Sequence, residues 1–199
     1  AYEIPKRDWS SDVCSSDLGN PVLFPYEDSV PYHLYWQVLN AKHHGVPQNR
    51  ERVFLIGIRD DADNNFQFPR EEHLTKRLKD VLEDGVDDKY FLSEKMINGF
   101  LAHNKRHIEE KNQDGFNWKP KDETEIANCL RANAALCPTD NTLKIKGGKV
   151  RRLTPRECFR LMDFPDSFKW NVSDSQAYKQ AGNSIVVNVL YKILKNLLY

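Results

Sequence analysis

The chain has 199 residues, and its 29 lysines and arginines balance its 29 aspartates and glutamates, so the formal net charge at pH 7 is zero. This length suits one domain, or one domain with a smaller second one. No apolar run approaches the roughly 20 residues of a membrane-spanning helix, and no charged-then-apolar leader opens the chain. We therefore expect an intracellular protein that does not enter a membrane.

The charge is unevenly distributed along the chain. Residues 61–128 hold 11 basic and 16 acidic side chains, whereas residues 129–199 hold 12 basic and 5 acidic ones. Eight of the basic residues fall between positions 131 and 160: Arg131, Lys144, Lys146, Lys149, Arg151, Arg152, Arg156 and Arg160. Such a basic face suits a phosphate backbone, and a solvated loop with ordinary surface charges is the alternative.

The segment DWSSDVCSSDL, from Asp8 to Leu18, has neither a helical nor a strand period. It resembles the translation of a sequencing adapter, so we treat residues 1–18 as an artefact or an unrelated segment. On this interpretation the natural chain continues upstream of Gly19.

Two strands are predicted next, around a short connection. YHLYWQVL, residues 32–39, is aromatic and β-branched; residues 40–48 contain Gly45 and Pro47; and RVFLIGI, residues 52–58, is the second strand. The second strand is apolar on both faces, which predicts a position inside a sheet with helices on each side. The adjacent His43 and His44 receive no role.

Gln48, Arg50 and Arg52 occupy alternate positions at the start of this strand and therefore share one face. Two guanidinium groups that project together repel each other. The pattern predicts a partner that is anionic or rich in hydrogen-bond acceptors. The alternative is that the arginines protect a sheet edge from pairing with another chain.

The remaining chain alternates helical and irregular segments. Residues 76–82 predict a short helix and Ser93–Lys111 a longer one, and residues 115–148 predict short strands and loops of a smaller domain. His103 and His107 could share a metal ion, but with no third ligand in view an exposed polar helix face is favoured. Four cysteines without a Cys-x-x-Cys pair favour reduced thiols over disulfides or zinc: Cys14, Cys129, Cys137 and Cys158.

Two helices are predicted near the C-terminus. Thr154 is a candidate N-cap with Pro155 at the first helical position and Glu157 at the third, and this helix should stop before Pro165. An amphipathic C-terminal helix should begin near Asn183 or Ser184. Its free N–H groups beside Gly182 could meet a carboxylate, and a simple helix cap is the alternative.

Three segments together resemble the C-terminal half of a C5-cytosine DNA methyltransferase: NAKHHGVPQNRERVFLIG, RRLTPRECFRLMDFPDSF and QAYKQAGNSIVVNVL. The resemblance runs from about Tyr32 to the C-terminus. It implies an α/β fold: the C-terminal part of a Rossmann-like S-adenosylmethionine-dependent methyltransferase domain, with a small mixed target-recognition domain. The implied parts are catalytic-domain strands at 19–89, target recognition at 90–149, and at 150–199 a bracing segment and a C-terminal helix that returns to the catalytic domain.

In this family a cytosine is turned out of double-stranded DNA, a cysteine thiolate adds to C6, a glutamate protonates N3, and an arginine holds O2. C5 then takes a methyl group from S-adenosylmethionine. The resemblance places Arg52 at O2, with Arg50 and Gln48 in support; Asn183, Ser184 and Ile185 near the cofactor; and Arg131, Arg151 and Arg152 at the DNA. It places no metal, and Thr154, Arg156 and Glu157 brace the two domains.

The family's Pro-Cys-Gln, Glu-Asn-Val and Phe-x-Gly-x-Gly segments do not occur in the sequence. We assign none of the four cysteines as the nucleophile, and we expect no methyl transfer by the chain alone. In one hypothesis the chain is a piece of a cytoplasmic bacterial or phage methyltransferase that belongs to a restriction-modification system. In the other it is a separate DNA-binding subunit that recognises the target. The recognised DNA sequence is not readable from these residues.

Overall fold

The computed structural model describes residues 32–63, 65–111, 118–132, 136–137, 140–145 and 147–198. The segment 1–18 and Lys146 lie outside these residues. The strands are β1 (Tyr32–Asn40), β2 (Gln48–Asn49), β3 (Glu51–Arg59), β4 (Ala127–Asn128), β5 (Thr142–Lys144) and β6 (Val150–Arg152). The α-helices are α1 (Glu94–Lys111), α2 (Pro155–Leu161), α3 (Asp174–Asn183) and α4 (Val187–Leu198).

The chain divides into two compact units. Of the described residues, those from 32 to 38 and from 53 to 68 form the first unit, and those from 39 to 52 and from 69 onwards form the second. The predicted domain boundaries at residues 89 and 149 both fall inside the second unit and stay a prediction. Within the described part of the chain, no helix is both long and apolar enough to cross a membrane.

In the first unit, the two predicted strands are confirmed as β1 and β3, which pair in a two-stranded sheet. Gly57 lets the strands approach, since a Cβ there would lie 3.3 Å from the Leu34 side chain. The expected cover by helices differs from the structure: Val53 is 67% exposed and Leu55 65% exposed. These two apolar side chains of β3 are therefore exposed, and no helix in the described part of this unit packs on them.

The second unit contains the other short strands. β2 pairs with β4 in parallel, and β5 pairs with β6 in antiparallel register. This agrees with the prediction of short strands and loops between residues 115 and 148, as far as those residues are described. The long helix is also confirmed, because α1 begins one residue after the predicted Ser93.

The predicted helix at residues 76–82 is wrong. Only a 3-10 turn at Leu78–Asp80 forms there. The N–H groups of Leu78 and Lys79 donate to the carbonyls of Glu125 and Glu123, at 2.9 and 2.8 Å. These N–H groups thus bind a segment that is distant in sequence. The periodicity of the local sequence cannot reveal such a contact.

The predicted C-terminal helix is present as α4, but its predicted start is wrong. α3 ends at Asn183, Ser184 is extended with ψ 163°, and α4 begins only at Val187. The N–H of Val187 donates to the carbonyl of Met162 at 3.0 Å. The residues predicted to begin the helix, Asn183 and Ser184, instead lie at the end of α3.

The start of α2 has the predicted capping box. Thr154 Oγ1 accepts from the Glu157 N–H at 3.1 Å, and the Glu157 carboxylate accepts from the Thr154 N–H at 2.8 Å. Glu157 is fully buried and also accepts from both terminal nitrogens of Arg151, at 2.8 and 2.7 Å, and from the Glu83 N–H at 2.9 Å. One carboxylate therefore joins β6, α2 and the loop at Glu83.

His44 is a buried side chain of the second unit without a side-chain hydrogen bond. It is fully buried, and neither ring nitrogen has a hydrogen-bond partner among the described residues. Burial lowers the pKa of His44 from 6.5; Lys192 of α4 and, more weakly, His43 lower it further, while Glu71 and Glu72 oppose the shift. The imidazole is therefore held in its neutral form.

We expect Glu157→Gln to lower the free energy of unfolding by about 3–5 kcal/mol, because it leaves the Arg151 charge buried and uncompensated. Urea unfolding followed by circular dichroism measures the change. Asp166→Asn is the control, because it breaks an ion pair between Arg160 and a carboxylate that is 64% exposed, and should cost below about 1 kcal/mol. Equal losses in the two variants would contradict the assignment.

We expect the chain to lose stability as the pH falls below 6.5, because the unfolded chain then binds a proton that the folded His44 resists. His44→Phe should flatten this dependence, by up to about 1.4 kcal/mol per pH unit. Urea unfolding at a series of pH values tests it, with the exposed His73→Phe as control. An unchanged slope in His44→Phe would show that the acid sensitivity arises elsewhere.

Candidate functional site

Gln48 connects three parts of the second unit. Its side chain is fully buried; Nε2 donates to the Leu161 carbonyl at 2.7 Å, and Oε1 accepts from the Leu130 N–H at 3.0 Å. The first contact reaches the end of α2, and the second reaches the segment that follows β4. Because an amide both donates and accepts, one glutamine holds both segments to β2.

Arg50, between β2 and β3, is 5% exposed and donates only to neutral groups. One terminal nitrogen donates to the Leu130 carbonyl at 3.0 Å and to Cys129 Sγ at 3.3 Å. The other donates to the carbonyls of Gly182 and Ser184, at 2.9 and 3.1 Å. Burial lowers the pKa of Arg50, and the adjacent Cys129 opposes this shift. The acceptor-rich partner predicted for the paired arginines is, for Arg50, the backbone itself.

Arg52, the first basic residue within β3, is exposed. One terminal nitrogen donates to the Glu51 carbonyl at 2.6 Å, and the other lies 3.5 Å from Cys129 Sγ. Arg50 and Arg52 therefore come together at one thiol, as expected for side chains on the same face. Sequence reasoning missed Cys129, because an isolated cysteine in an irregular segment carries no signal of such a position.

Gly182 allows two backbones to meet. A Cβ at this position would lie 2.4 Å from the carbonyl carbon and oxygen of Arg131 and 2.5 Å from the Ala132 nitrogen. Those separations are far below van der Waals contact, so any side chain would displace the segment after β4. The glycine thus fixes the distance between the end of α3 and a segment inside the predicted recognition region.

The predicted cofactor residues lie at the C-terminal end of α3. The Ser184 N–H already donates to the carbonyls of Gln180 and Ala181, which differs from the predicted helix start with free N–H groups. Asn183 and Ile185 are exposed, and the Asn183 amide makes no hydrogen bond to the described residues. These two side chains are available to bind a ligand. The expected helix N-terminus with free N–H donors does not occur at Asn183 and Ser184.

The three predicted DNA-binding arginines have different surroundings. Arg131 makes two hydrogen bonds to the Asp140 carboxylate, at 2.8 and 3.2 Å, with its side chain 42% exposed. Arg151 is 4% exposed and paired with Glu157, so it offers no guanidinium to a phosphate, and its predicted DNA contact differs from the structure. Arg152 is partly buried between the rings of Tyr90 and Tyr178.

No group of three or more potential metal ligands occurs among the described residues. The side chain of His107, half of the proposed histidine pair, lies outside them. Cys158 is buried, and burial raises the pKa of its thiol, so it remains protonated and unreactive.

The model of the family described as C-5 cytosine-specific DNA methylase matches residues 22–199. The chain belongs to this family. The family resemblance of the three sequence segments is thereby confirmed.

Several bacterial members of the family are about one third identical to the chain. The type II methyltransferase M.Bsp6I of Bacillus sp. is 35% identical, over 94% of this chain and 62% of its own length. The type II methyltransferase M.DsaV of Dactylococcopsis salina is 34% identical, over 86% of this chain and 49% of its own length. The chain thus spans about half to three fifths of the length of these relatives.

The fold of the family is confirmed by solved structures. The crystal structure of the S. pombe Dnmt2 methyltransferase superposes with a TM-score of 0.65 at 22% identity, and covers 84% of this chain and 57% of that protein. The predicted fold class, part of an S-adenosylmethionine-dependent α/β methyltransferase, is therefore correct.

We expect Arg50→Met to lower the free energy of unfolding by at least about 3 kcal/mol, because the carbonyls of Leu130, Gly182 and Ser184 lose a charged donor in a largely buried setting. Arg52→Met is the matched control and should change stability by less than about 0.5 kcal/mol, since Arg52 is exposed. Urea unfolding measures both. A similar loss in the two variants would mean that Arg52 is also structural.

Proposed function

We propose that the chain supplies the cytosine-holding arginine and the target-recognition part of a DNA (cytosine-5) methyltransferase. Its substrate is a cytosine turned out of double-stranded DNA, and its methyl donor is S-adenosylmethionine. The observation that carries the proposal is the contrast within one motif: Arg50 is buried and saturated by acceptors, while Arg52, two positions later, is exposed. One arginine builds the site, and the other is left for a ligand.

Arg52 has the properties required to hold the O2 oxygen of the base. A guanidinium carries five N–H donors, and its contacts with Glu51 and Cys129 leave others unused. Both contacts also restrict the side chain, so its donors are oriented before the base arrives. A fixed cation at O2 stabilises the negative charge that develops when a nucleophile adds to the ring.

Gln48 and Arg50 act as positioning residues. They attach the start of β3 to Leu130, which lies within the predicted recognition region, and to Gly182, at the end of α3. Movement of either segment would therefore move Arg52 relative to the DNA. S-adenosylmethionine would supply the methyl group, and the exposed side chains of Asn183 and Ile185 are the residues of this chain available to its methionine part.

The thiolate and the glutamate of the reaction come from a further segment in this proposal. The relatives are longer than the chain, and the sequence contains neither the Pro-Cys-Gln nor the Glu-Asn-Val segment. The exposed Val53 and Leu55 of β3 support an additional segment that covers this strand. The segment belongs either to the same polypeptide or to a partner chain.

Complementation tests this function. The chain is co-expressed with the part of M.Bsp6I that lies outside the region matched by this chain, and transfer of tritiated methyl from S-adenosylmethionine to DNA is measured. We expect no transfer by the chain alone, transfer by the pair, and loss of at least about 100-fold with Arg52→Met, because a preorganised charge contact to the reacting base is removed. Arg59→Met, which removes another exposed arginine of β3, is the control.

Each contrary outcome has a distinct meaning. Methyl transfer by the chain alone would show that it holds its own nucleophile. Full activity of the Arg52→Met pair would remove Arg52 from the reaction. A pair that associates and binds DNA without methyl transfer would favour the alternative, a separate DNA-binding subunit that recognises the target.

A further inference from the structure

A small cavity lies in the second unit, beside Arg152. Its volume is about 50 Å³, and its walls come from β6, α2, α3 and the segments around residues 130 and 140. A cavity of this size admits a group of a few atoms. Leu130, Leu136 and Leu153 form much of the apolar wall.

Arg152 is the unusual member of this wall. Its guanidinium lies 4.9 Å from the ring centroid of Tyr178 and 5.5 Å from that of Tyr90. No oxygen of the described residues accepts a hydrogen bond from it, and its buried Nε has no partner. The two rings restrict the plane of the cation but satisfy none of its N–H groups, whose donors lie at the edge of that plane.

The other polar groups of the wall do not balance this charge. The Asp140 carboxylate is already paired with Arg131. Burial raises the pKa of both the Cys158 thiol and the Tyr178 hydroxyl, so both remain neutral, and the Tyr178 hydroxyl donates to the Leu153 carbonyl at 2.7 Å. Asp174 accepts a hydrogen bond from the Tyr90 hydroxyl and pairs with Lys89, both at 2.9 Å. One positive charge therefore remains at the cavity.

We propose that this cavity is a subsite for one phosphate group of the DNA backbone, bound by Arg152, with Arg131 at its rim. A phosphodiester brings one negative charge and oxygens that accept from a planar guanidinium edge. The inference rests on the proposed DNA substrate, but the cavity does not include Arg52, the residue proposed to hold the base. Arg152 would position the strand and carry no sequence information.

A purely structural role makes a different prediction. If Arg152 only braces Tyr90 against α3, its removal should lower stability and leave the salt dependence of DNA binding unchanged. If it binds a phosphate, one ion contact should disappear from that dependence. The two roles are therefore separable by experiments on the full chain.

The first experiment does not need DNA. Inorganic phosphate is titrated into ¹⁵N-labelled chain, and the Arg Nε–Hε signal of Arg152, assigned with Arg152→Lys, is followed by NMR. We expect this signal to shift with saturation, while the Arg151 signal, buried against Glu157, stays in place. A shift reproduced by chloride at equal ionic strength, or no shift at all, would overturn the subsite.

The second experiment measures binding of a fluorescein-labelled 20-base-pair duplex by anisotropy over a range of KCl concentrations. Arg152→Gln should reduce the slope of log K against log salt by about 0.9, the value for one lost phosphate contact. Arg152→Lys should keep most of that slope, since it retains the charge. Lys179→Gln, an equal charge change on the exposed face of α3, is the control and should leave the slope within error.

The outcomes distinguish the subsite from the proposed function. If the wild-type chain binds no duplex but phosphate still moves the Arg152 signal, DNA binding by this chain alone fails and the subsite stands. If the duplex binds and Arg152→Gln changes neither slope nor affinity relative to Lys179→Gln, the subsite fails and DNA binding stands. Weaker binding by Arg152→Gln with an unchanged slope would support the bracing role and overturn the subsite.

Discussion

The hydrogen bonds of the buried Arg50 guanidinium are the interaction on which the second unit depends. A buried cation is costly unless its donors are satisfied, and here three backbone carbonyls and a thiol satisfy them. Those carbonyls belong to segments that are far apart in the chain, Leu130 and the stretch from Gly182 to Ser184. No carboxylate of the described residues takes part, so peptide dipoles stabilise the charge without neutralising it. The hydrogen bonds thereby fix the relative positions of these segments without a salt bridge.

The Glu157 carboxylate performs the converse task within the same unit. It is a buried anion that accepts hydrogen bonds from Arg151, Thr154 and Glu83. Two buried ions thus organise this unit: one binds carbonyl acceptors, and the other binds N–H donors. The exposed Arg52 and the stacked Arg152 differ from both, because their hydrogen-bonding capacity is incompletely used within the chain.

Features set by residues close together in the sequence could be predicted, whereas features set by contacts between distant segments could not. The Thr154–Glu157 capping box and α1 follow from contacts between neighbours in sequence, and both were predicted correctly. The separation of α3 from α4 depends on the Val187 N–H reaching Met162, and the absence of a helix at residues 76–82 depends on Glu123 and Glu125. The partners of Gln48 and Arg50 are equally distant. The motif identified these residues as a group, but only the fold showed that Arg50 is buried and Arg52 exposed.

The contact at Gly182 also limits how the recognition specificity of this chain can be exchanged. Two main chains touch there without an intervening side chain, so the backbone at Arg131 and Ala132 has to follow the surface of α3. This contact lies inside the region, residues 90–149, that the sequence motifs assign to recognition. A recognition segment transplanted from another methyltransferase therefore has to reproduce the backbone path at Arg131 and Ala132, or the chimeric enzyme has to retain those residues.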